Sequence, residues 1–170
     1  VGFTAGGDDH LGLAGTDHVF HDVDGLEYYA GQTGVWAEAC TREAIFRALH
    51  ARRTVATSGP RMILDVTVNG RPVGSEWGVA ADLAARTARE IKAYFVGTAP
   101  LRSLDVIRNG EIVFSTRENE MAWTDMASLD QLWLPANVFS SKPFVYYYVR
   151  AIQDDGQTAW ASPVWIEKDA

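Results

Sequence analysis

Apolar and polar residues alternate with a period of two over much of the chain after residue 54. Leu64, Val66 and Val68 are apolar with polar residues between them, which is the pattern of a strand with one buried face. Asn69-Gly70 follows, and this pair favours the positive φ angles of a type I′ hairpin turn. Because Pro72 cannot donate to a central ladder, it confines the returning strand to a sheet edge or a bulge. The pattern predicts a hairpin here.

Two further turns join alternating or apolar runs: Asn109-Gly110 between 104–108 and 111–115, and Asp155-Gly156 between 144–152 and 158–166. Residues 80–96 fit both helical spacing and strand alternation. Because the segments that follow them are predicted strands, we predict a strand over 88–96. Three short hairpins predict a mainly β fold, an antiparallel sandwich of the Ig-like kind, over 60–170.

One helix is predicted, over about 41–53. Thr41 is a favourable N-cap, and Glu43 follows in the first turn, where it faces the positive end of the helix dipole. Ile45 and Leu49 are spaced i, i+4, so they lie on one face of a helix. The basic pair Arg52-Arg53 stands at the negative end, as expected for a C-terminus.

The first 40 residues have weaker patterns. Residues 1–5 are short and β-compatible, 8–32 are rich in Asp, His and Gly and predict a long loop, and 34–39 predict a short strand. The sequence begins at Val1 without Met, a basic n-region or an apolar h-region, so it is neither an intact translation start nor a signal peptide. We expect a piece of a longer protein.

Composition excludes several classes of protein. The 47% of hydrophobic residues predicts a folded chain with a core. The formal charge of −7 argues against nucleic acid or an anionic membrane as a partner, because both attract basic surfaces. No apolar run approaches the roughly 20 residues of a membrane-spanning helix. The single cysteine, Cys40, cannot form an internal disulfide, and we expect it to be a buried thiol.

The strongest chemical candidate is Asp8 with His10, two residues apart and directly after a predicted strand. A carboxylate and an imidazole suit one divalent ion such as Zn, Mn or Fe, and Gly6-Gly7 before them lets the backbone approach closely. The alternative is an Asx-turn with a surface histidine. His18 and His21 are spaced H-x-x-H, which would place both on one face of a helical turn. We favour the interpretation that they lie in a solvated acidic loop.

A second candidate is the end of the predicted helix. Arg52 and Arg53 precede small hydroxyl residues and Gly59, so their guanidinium groups are candidates for an anion pocket. The simpler interpretation is that both arginines only complement the helix dipole. The sequence contains no nucleophile elbow, P-loop, dinucleotide fingerprint or paired-cysteine metal spacing.

Several segments together resemble the C-terminal part of a bacterial family of unknown function related to the PHP (polymerase and histidinol phosphatase) metal-dependent phosphoesterases. The segments are 2–12, 35–38, 41–54, 64–70 and 96–100. The resemblance implies that 1–59 is the C-terminal end of a PHP-like (β/α) barrel, with Asp8 and His10 as metal ligands. Gly7 stands where that family usually has Ser, and Leu13-Ala14-Gly15 where it tends to have Arg-Pro-Gly.

The implied function is that of a metal-dependent phosphoester hydrolase. The H-x-H and other ligands of such a barrel are missing from these residues, and two ligands do not hold a catalytic ion, so we expect no activity from this chain alone. Arg52 or Arg53 would stabilise charge in the intact protein. We also expect strand 1–5, without its barrel partners, to bind the missing barrel segment or to self-associate.

A function of a different class is also open: a non-catalytic β-sandwich that binds a carbohydrate or a protein. Aromatic residues such as Trp77, Trp123 or Trp160 would then make the contact. The simpler interpretation is that most of the six tryptophans are core. Exposed tryptophan rings on one flat face would favour the binding module, and a metal beside Asp8 and His10 would favour the hydrolase.

Overall fold

The computed structural model describes residues 2–7, 18–20, 27–138 and 140–169. Within them lies one α-helix, α1 (Arg42–His50), among strands. The strands are β1 (His18–Phe20), β2 (Glu27–Tyr29), β3 (Gln32–Val35), β4 (Thr54–Thr57), β5 (Ile63–Val68), β6 (Arg71–Pro72), β7 (Glu76–Gly78), β8 (Arg89–Val96), β9 (Leu101–Arg108), β10 (Glu111–Thr116), β11 (Glu120–Asp125), β12 (Phe144–Gln153), β13 (Thr158–Ala161) and β14 (Val164–Glu167). Short 3-10 turns occupy Val79–Ala81, Leu83–Arg86 and Leu129–Gln131.

The strands form two main sheets. The larger has the order β10-β9-β12-β13-β4-β3, and β14 pairs with the first half of β12 and with β7. The smaller has the order β11-β8-β5-β6. Every pairing in both sheets is antiparallel except that of β14 with β7. The predicted mainly β, antiparallel fold with one helix is therefore confirmed.

Alternating residues of both sheets meet in one core, which gives the described residues a sandwich-like, two-layer arrangement. Along β8 the exposure alternates strictly between buried and exposed residues. Leu64 and Phe95 of the smaller sheet are almost fully buried, as are Val106 and Val149 of the larger one. The period of two seen in the sequence thus identifies the buried faces correctly, including the predicted strand over 88–96.

The predicted Asn-Gly turns are confirmed. Asn69 and Gly70 have φ angles of 48° and 72°, and Asn109 and Gly110 have 53° and 92°. Asn69 also accepts a hydrogen bond from the Glu90 backbone N–H at 2.7 Å, so this turn is tied to the neighbouring strand β8. Pro72 ends the two-residue edge strand β6, as its missing N–H requires.

α1 begins where the sequence predicts and ends earlier. The Thr41 hydroxyl accepts a hydrogen bond from Ala44 N at 3.2 Å, which confirms the N-cap. The helix stops at His50 because Arg52 has a φ of 59°, with Arg52 N bonded to Leu49 O and Arg53 N bonded to Ala48 O. These are the bonds of a Schellman end, which glycine usually makes. Because Arg52 stands where glycine is usual, the sequence gives no signal for this helix end.

Other expectations change in detail. The run 158–166 divides into β13 and β14, which pair with different halves of β12. The loop predicted over 8–32 contains the antiparallel pair β1–β2. The short strand expected over 34–39 is found at Gln32–Val35 instead. β3 and β4 lie in the same sheet as the strands after residue 100, while the division into 1–59 and 60–170 stays a prediction.

One buried carboxylate connects the two sheets. Asp125, at the end of β11, accepts hydrogen bonds from Tyr147 Oη and from Arg108 Nη1, both at 2.7 Å, on its Oδ2 atom. Ala127 N donates to its Oδ1 atom at 3.0 Å. Arg89, which is fully buried, has Nη2 at 3.0 Å from Oδ2 in a charge contact without hydrogen-bond geometry. Asp125 and Arg89 belong to the smaller sheet, Tyr147 and Arg108 to the larger.

Within the described part of the chain, no helix is long and apolar enough to cross a membrane.

Asp125→Asn tests the connection between the sheets. Burial raises the pKa of Asp125, but the hydrogen bonds from Ala127, Tyr147 and Arg108 and the charge of Arg89 outweigh it and lower the pKa to about 2. Because the pKa of Asp125 is lower in the folded protein than in the unfolded chain, where it is near 4, the ionised carboxylate stabilises the fold. This stabilisation, about 2 kcal/mol, is complete above the unfolded pKa and is lost as the pH falls towards 2. At pH 7 the substitution leaves the buried Arg89 charge uncompensated, so we expect a loss of about 3 kcal/mol.

The measurement is urea unfolding of both proteins at several pH values from 7 to 2. The difference in the free energy of unfolding between wild type and Asp125→Asn should shrink as the pH falls from 4 to 2. Asp130→Asn, at an exposed carboxylate, is the control and should leave the curve unchanged. Parallel curves for wild type and Asp125→Asn would contradict the proposed role of Asp125.

Candidate functional site

Asp8 and His10, the predicted metal ligands, lie outside the described residues, as do His21 and the carboxylates between them. His18 is in β1, where only the backbone is described. Among the described residues no group of three or more His, Cys, Asp or Glu side chains is placed to hold a metal ion. What the structure describes is the segment that leads directly to Asp8, residues 2–7, and the surface that holds it.

Residues 2–7 form no strand ladder, in contrast to the strand expected at 1–5. Side-chain hydroxyl groups take the place of the ladder. Phe3 N donates to Ser162 Oγ at 2.9 Å, and Thr54 Oγ1 donates to Phe3 O at 2.8 Å. The two hydroxyl oxygens are 2.7 Å apart. Since the Thr54 proton goes to Phe3 O, Ser162 must donate to Thr54 Oγ1, which completes a closed ring of hydrogen bonds.

A third hydroxyl, that of Thr33, bonds to the backbone of Ala5. Thr33 Oγ1 accepts from Ala5 N and donates to Ala5 O, both at 2.9 Å. The segment passes so close to Gly31 that a Cβ atom there would lie 2.9 Å from the Ala5 Cβ. The Phe3 ring packs edge-on against Tyr148, with centroids 5.2 Å apart. We call Thr33, Thr54 and Ser162 the hydroxyl latch.

The hydroxyl latch uses every second residue of the segment. Phe3 and Ala5 direct both backbone groups towards the larger sheet, whereas Thr4 is exposed. In an extended chain the backbone groups of adjacent residues point to opposite sides. Within the described residues nothing bonds to the Thr4 backbone, so this edge of the segment is open.

The latch residues carry no sequence signal. Thr54 and Ser162 are 2% and 1% exposed and are 108 residues apart in the chain. β4 and β13 pair side by side, and Ser162 follows β13 directly, so the sheet brings the two hydroxyls together. Both are on the side of the sheet away from the core, since their neighbours Val55 and Ala161 belong to the core. Only the tertiary fold creates this site.

Arg52 is largely occupied by structural contacts. Its Nε and Nη2 atoms donate to Gly74 O at 3.2 and 3.0 Å, and Nη2 also lies 3.0 Å from Glu76 Oε2. Its guanidinium stands 4.9 Å from the centroid of Trp165. Gly74, with a φ of 79°, permits this contact because a side chain there would meet the Ala51 and Arg52 backbone.

Arg53 is placed differently, although it is adjacent in the chain. Its side chain is half-buried and has no hydrogen-bond or ion-pair partner among the described residues. It borders two shallow depressions, one of about 390 Å³ beside Gly74 and Ser75 and one of about 160 Å³ beside Trp36 and Arg47. The two predicted anion-binding arginines are therefore not equivalent: one guanidinium is compensated and the other is available.

Further candidates are also placed by the structure. Cys40 is exposed, so the expectation of a buried thiol is wrong. His50 is an exposed residue of α1. Trp77 is in the core, and Trp123 stacks on Phe114 against the core with centroids 5.2 Å apart. Trp160 points away from the core, since both of its chain neighbours are core residues. Since Trp77 and Trp123 contact the core and Trp160 faces away from it, the three tryptophans form no common exposed patch.

The described fold defines a mainly β protein that holds its N-terminal segment on the outer face of the larger sheet. Residues 2–85 match the family described as Protein of unknown function (DUF3604). The chain is similar over 98% of its length to uncharacterized proteins of Chlamydia pneumoniae, Chlamydia muridarum and Chlamydia trachomatis serovar D, at 34%, 33% and 34% identity.

The chain spans 27% of the length of each of these three relatives. No solved structure matches it. The relation to the PHP phosphoesterases stays a prediction, because the family and the relatives are of unknown function.

Ser162→Ala tests the hydroxyl latch. It removes the acceptor of the Phe3 amide and the donor to Thr54, so we expect a loss of about 1–2 kcal/mol in the free energy of unfolding and faster hydrogen exchange at the Phe3 amide. Ser128→Ala is the matched control, since the Ser128 hydroxyl makes no capping bond. Equal exchange at Phe3 in wild type and Ser162→Ala would argue against the latch.

Proposed function

We propose that this chain is the C-terminal part of a PHP-like metal-dependent phosphoester hydrolase, in which Asp8 and His10 bind a divalent metal. The supporting observation is the hydroxyl latch. It holds residues 2–7 on the sheet, and Asp8 is the next residue along the chain. A metal ligand works best when its backbone is held rigidly, and the latch binds the sheet to Phe3 and Ala5, shortly before Asp8 in the chain.

The donor set fits this proposal only in part. Asp8 and His10 offer one carboxylate and one imidazole, ligands that suit Zn, Mn or Fe. A catalytic ion usually has three protein ligands, so the remaining ligands would come from the rest of a longer polypeptide. When bound, such an ion supplies an activated water for attack on a phosphoester. In the proposal 1–59 is the end of the barrel, and 60–170 is an Ig-like sandwich that supports it.

Of the two arginines, Arg53 is the better candidate for binding a phosphoryl group. The Arg52 charge is already neutralised by Glu76 at 3.0 Å, and its donors also satisfy Gly74 O. Within the described part of the chain the guanidinium of Arg53 has no such partner, and Arg53 borders two depressions. A planar guanidinium binds phosphate oxygens through two parallel N–H groups, so an unpaired arginine is the one that can accept this ligand.

Metal titration tests the ligand pair directly. Two ligands should bind a divalent ion weakly, without forming the complete catalytic site. In calorimetric titrations of the chain with Zn²⁺ and with Mn²⁺, Asp8→Ala and His10→Ala should each weaken this binding at least about tenfold, or about 1.4 kcal/mol. Asp9→Ala is the matched control, because it removes a neighbouring carboxylate that the proposal does not use. Binding that is unchanged in both ligand variants would refute the metal site.

In the same proposal the chain alone does not hydrolyse 4-nitrophenyl phosphate, whereas the full-length Chlamydia pneumoniae relative does so in a metal-dependent manner. Metal-dependent hydrolysis by the 170-residue chain that is lost in Asp8→Ala would show that two ligands suffice. It would contradict the need for further ligands from the longer protein.

The open edge at Thr4 suggests how the segment meets its partner. We propose that a strand of the missing barrel segment pairs there, and that without it a second copy of this chain does so, because an open edge pairs readily with another strand. Thr4→Pro removes the outward N–H and should convert a self-associated chain to monomer at an unchanged melting temperature. Ala5→Pro removes the N–H that donates to Thr33 and should lower the melting temperature.

The measurement is light scattering during size exclusion, combined with thermal unfolding. A wild-type chain that is a monomer at every concentration tested would contradict self-association through strand 1–5.

A further inference from the structure

α1 buries only a small part of its apolar surface. Ala44 and Ala48 are each 4% exposed, and they are the buried residues of the helix. Phe46 is 67% exposed and Leu49 is 43% exposed, while Ile45 is half-buried between them. The largest apolar side chains of the helix therefore face away from the sheets.

Helix geometry shows that the exposed residues form one continuous face. Successive residues are about 100° apart around the axis, so Ala44 and Ala48 mark the packed side within about 40°. Ile45, Leu49 and Phe46 then follow at about 100°, 140° and 200° from Ala44. We call these three residues the outer apolar face of α1. The face starts beside the packed alanines and continues to the opposite side of the helix.

The packing of α1 by itself gives little stability. A nine-residue helix is marginal in isolation, and most helical stability in proteins comes from burial of an apolar face. Two alanine side chains bury far less apolar area than Ile45, Phe46 and Leu49 would. A second surface that covered the outer apolar face would add the larger part of the burial.

We propose that an apolar surface of the remaining part of a longer polypeptide, of the size seen in the relatives, docks on the outer apolar face of α1. The chain spans 27% of the relatives' length, so most of such a protein is available to cover the helix. The family match at 2–85 includes α1 together with the latched segment. The helix end and that segment also adjoin, since a Cβ at Gly2 would lie 3.1 Å from the Arg52 Cβ.

A second copy of the chain is the less suitable occupant. Stable interfaces between separate proteins usually bury about 1,200–2,000 Å² in total, which three side chains on one short helix do not provide. A surface on the same polypeptide needs much less area, because the covalent connection raises its effective concentration. The inference shares with the proposed function only the assumption of a longer protein, and it requires no metal.

Hydrogen–deuterium exchange tests the inference. The α1 amides are compared in the 170-residue chain and in the full-length Chlamydia pneumoniae relative, and we expect exchange at least about tenfold slower in the full-length protein. Phe46→Glu with Leu49→Glu, introduced at the aligned positions of the relative, should abolish that difference. In the 170-residue chain the same pair should change the free energy of unfolding by no more than about 0.5 kcal/mol per site, because both residues are exposed.

Ile112→Glu is the matched control, since Ile112 is a 56% exposed apolar residue of β10 away from α1. It should leave the slow exchange of α1 intact in the full-length protein. Equal α1 exchange in the two proteins would overturn the inference. Protection that rises with the concentration of the 170-residue chain and is lost in the glutamate variant would identify a second copy as the occupant, and would also overturn it.

The outcome is separable from that of the metal proposal. Full-length protein carrying Asp8→Ala at the aligned position should keep the slow exchange of α1. Docking without metal binding would then count against the hydrolase proposal alone.

Discussion

The carboxylate of Asp125 is the contact on which the arrangement of the two sheets depends. It gathers a tyrosine hydroxyl and two guanidinium groups from three other strands into one buried cluster. A buried charge is costly unless it is paired, so Arg89 and Asp125 are acceptable in the core only together. Apolar packing brings the two sheets into contact, and the cluster requires one relative position of β11 and β12 in which all four groups can meet.

The hydroxyl latch lies on the outer face of the larger sheet, away from the Asp125 cluster. The latch depends on β4 and β13 being neighbours and on β3 lying next to β4. Side-chain hydroxyls bind only alternate residues of the segment, so they hold one of its edges and leave the other open. Phe3 and Ala5 are therefore bonded to the larger sheet, whereas the backbone of Thr4 has no bond among the described residues.

The end of α1 illustrates how local strain and tertiary contacts combine. Arg52 adopts a left-handed conformation that usually belongs to glycine, at a cost on the order of 1 kcal/mol. Its contacts with Gly74, Glu76 and Trp165 offset that cost and anchor the helix end to the strand region before β7. This anchoring gives Arg52 partners that the adjacent Arg53 does not have among the described residues. It also holds α1 in place with its larger apolar residues directed outwards.

The sequence alone determined the features that depend on neighbouring residues. The alternation in β5 and β8, the Asn69-Gly70 and Asn109-Gly110 turns and the Thr41 cap all follow from local backbone preferences and side-chain period. The tertiary structure alone decided which distant groups meet: Asp125 with Arg89 and Tyr147, and Thr54 with Ser162. Such contacts depend on strand order and register, which arise from packing over the whole chain and leave no mark in the residues nearby. Asp8 and His10 are predicted from their residue types, and the hydroxyl latch on the residues before them became visible only in the fold.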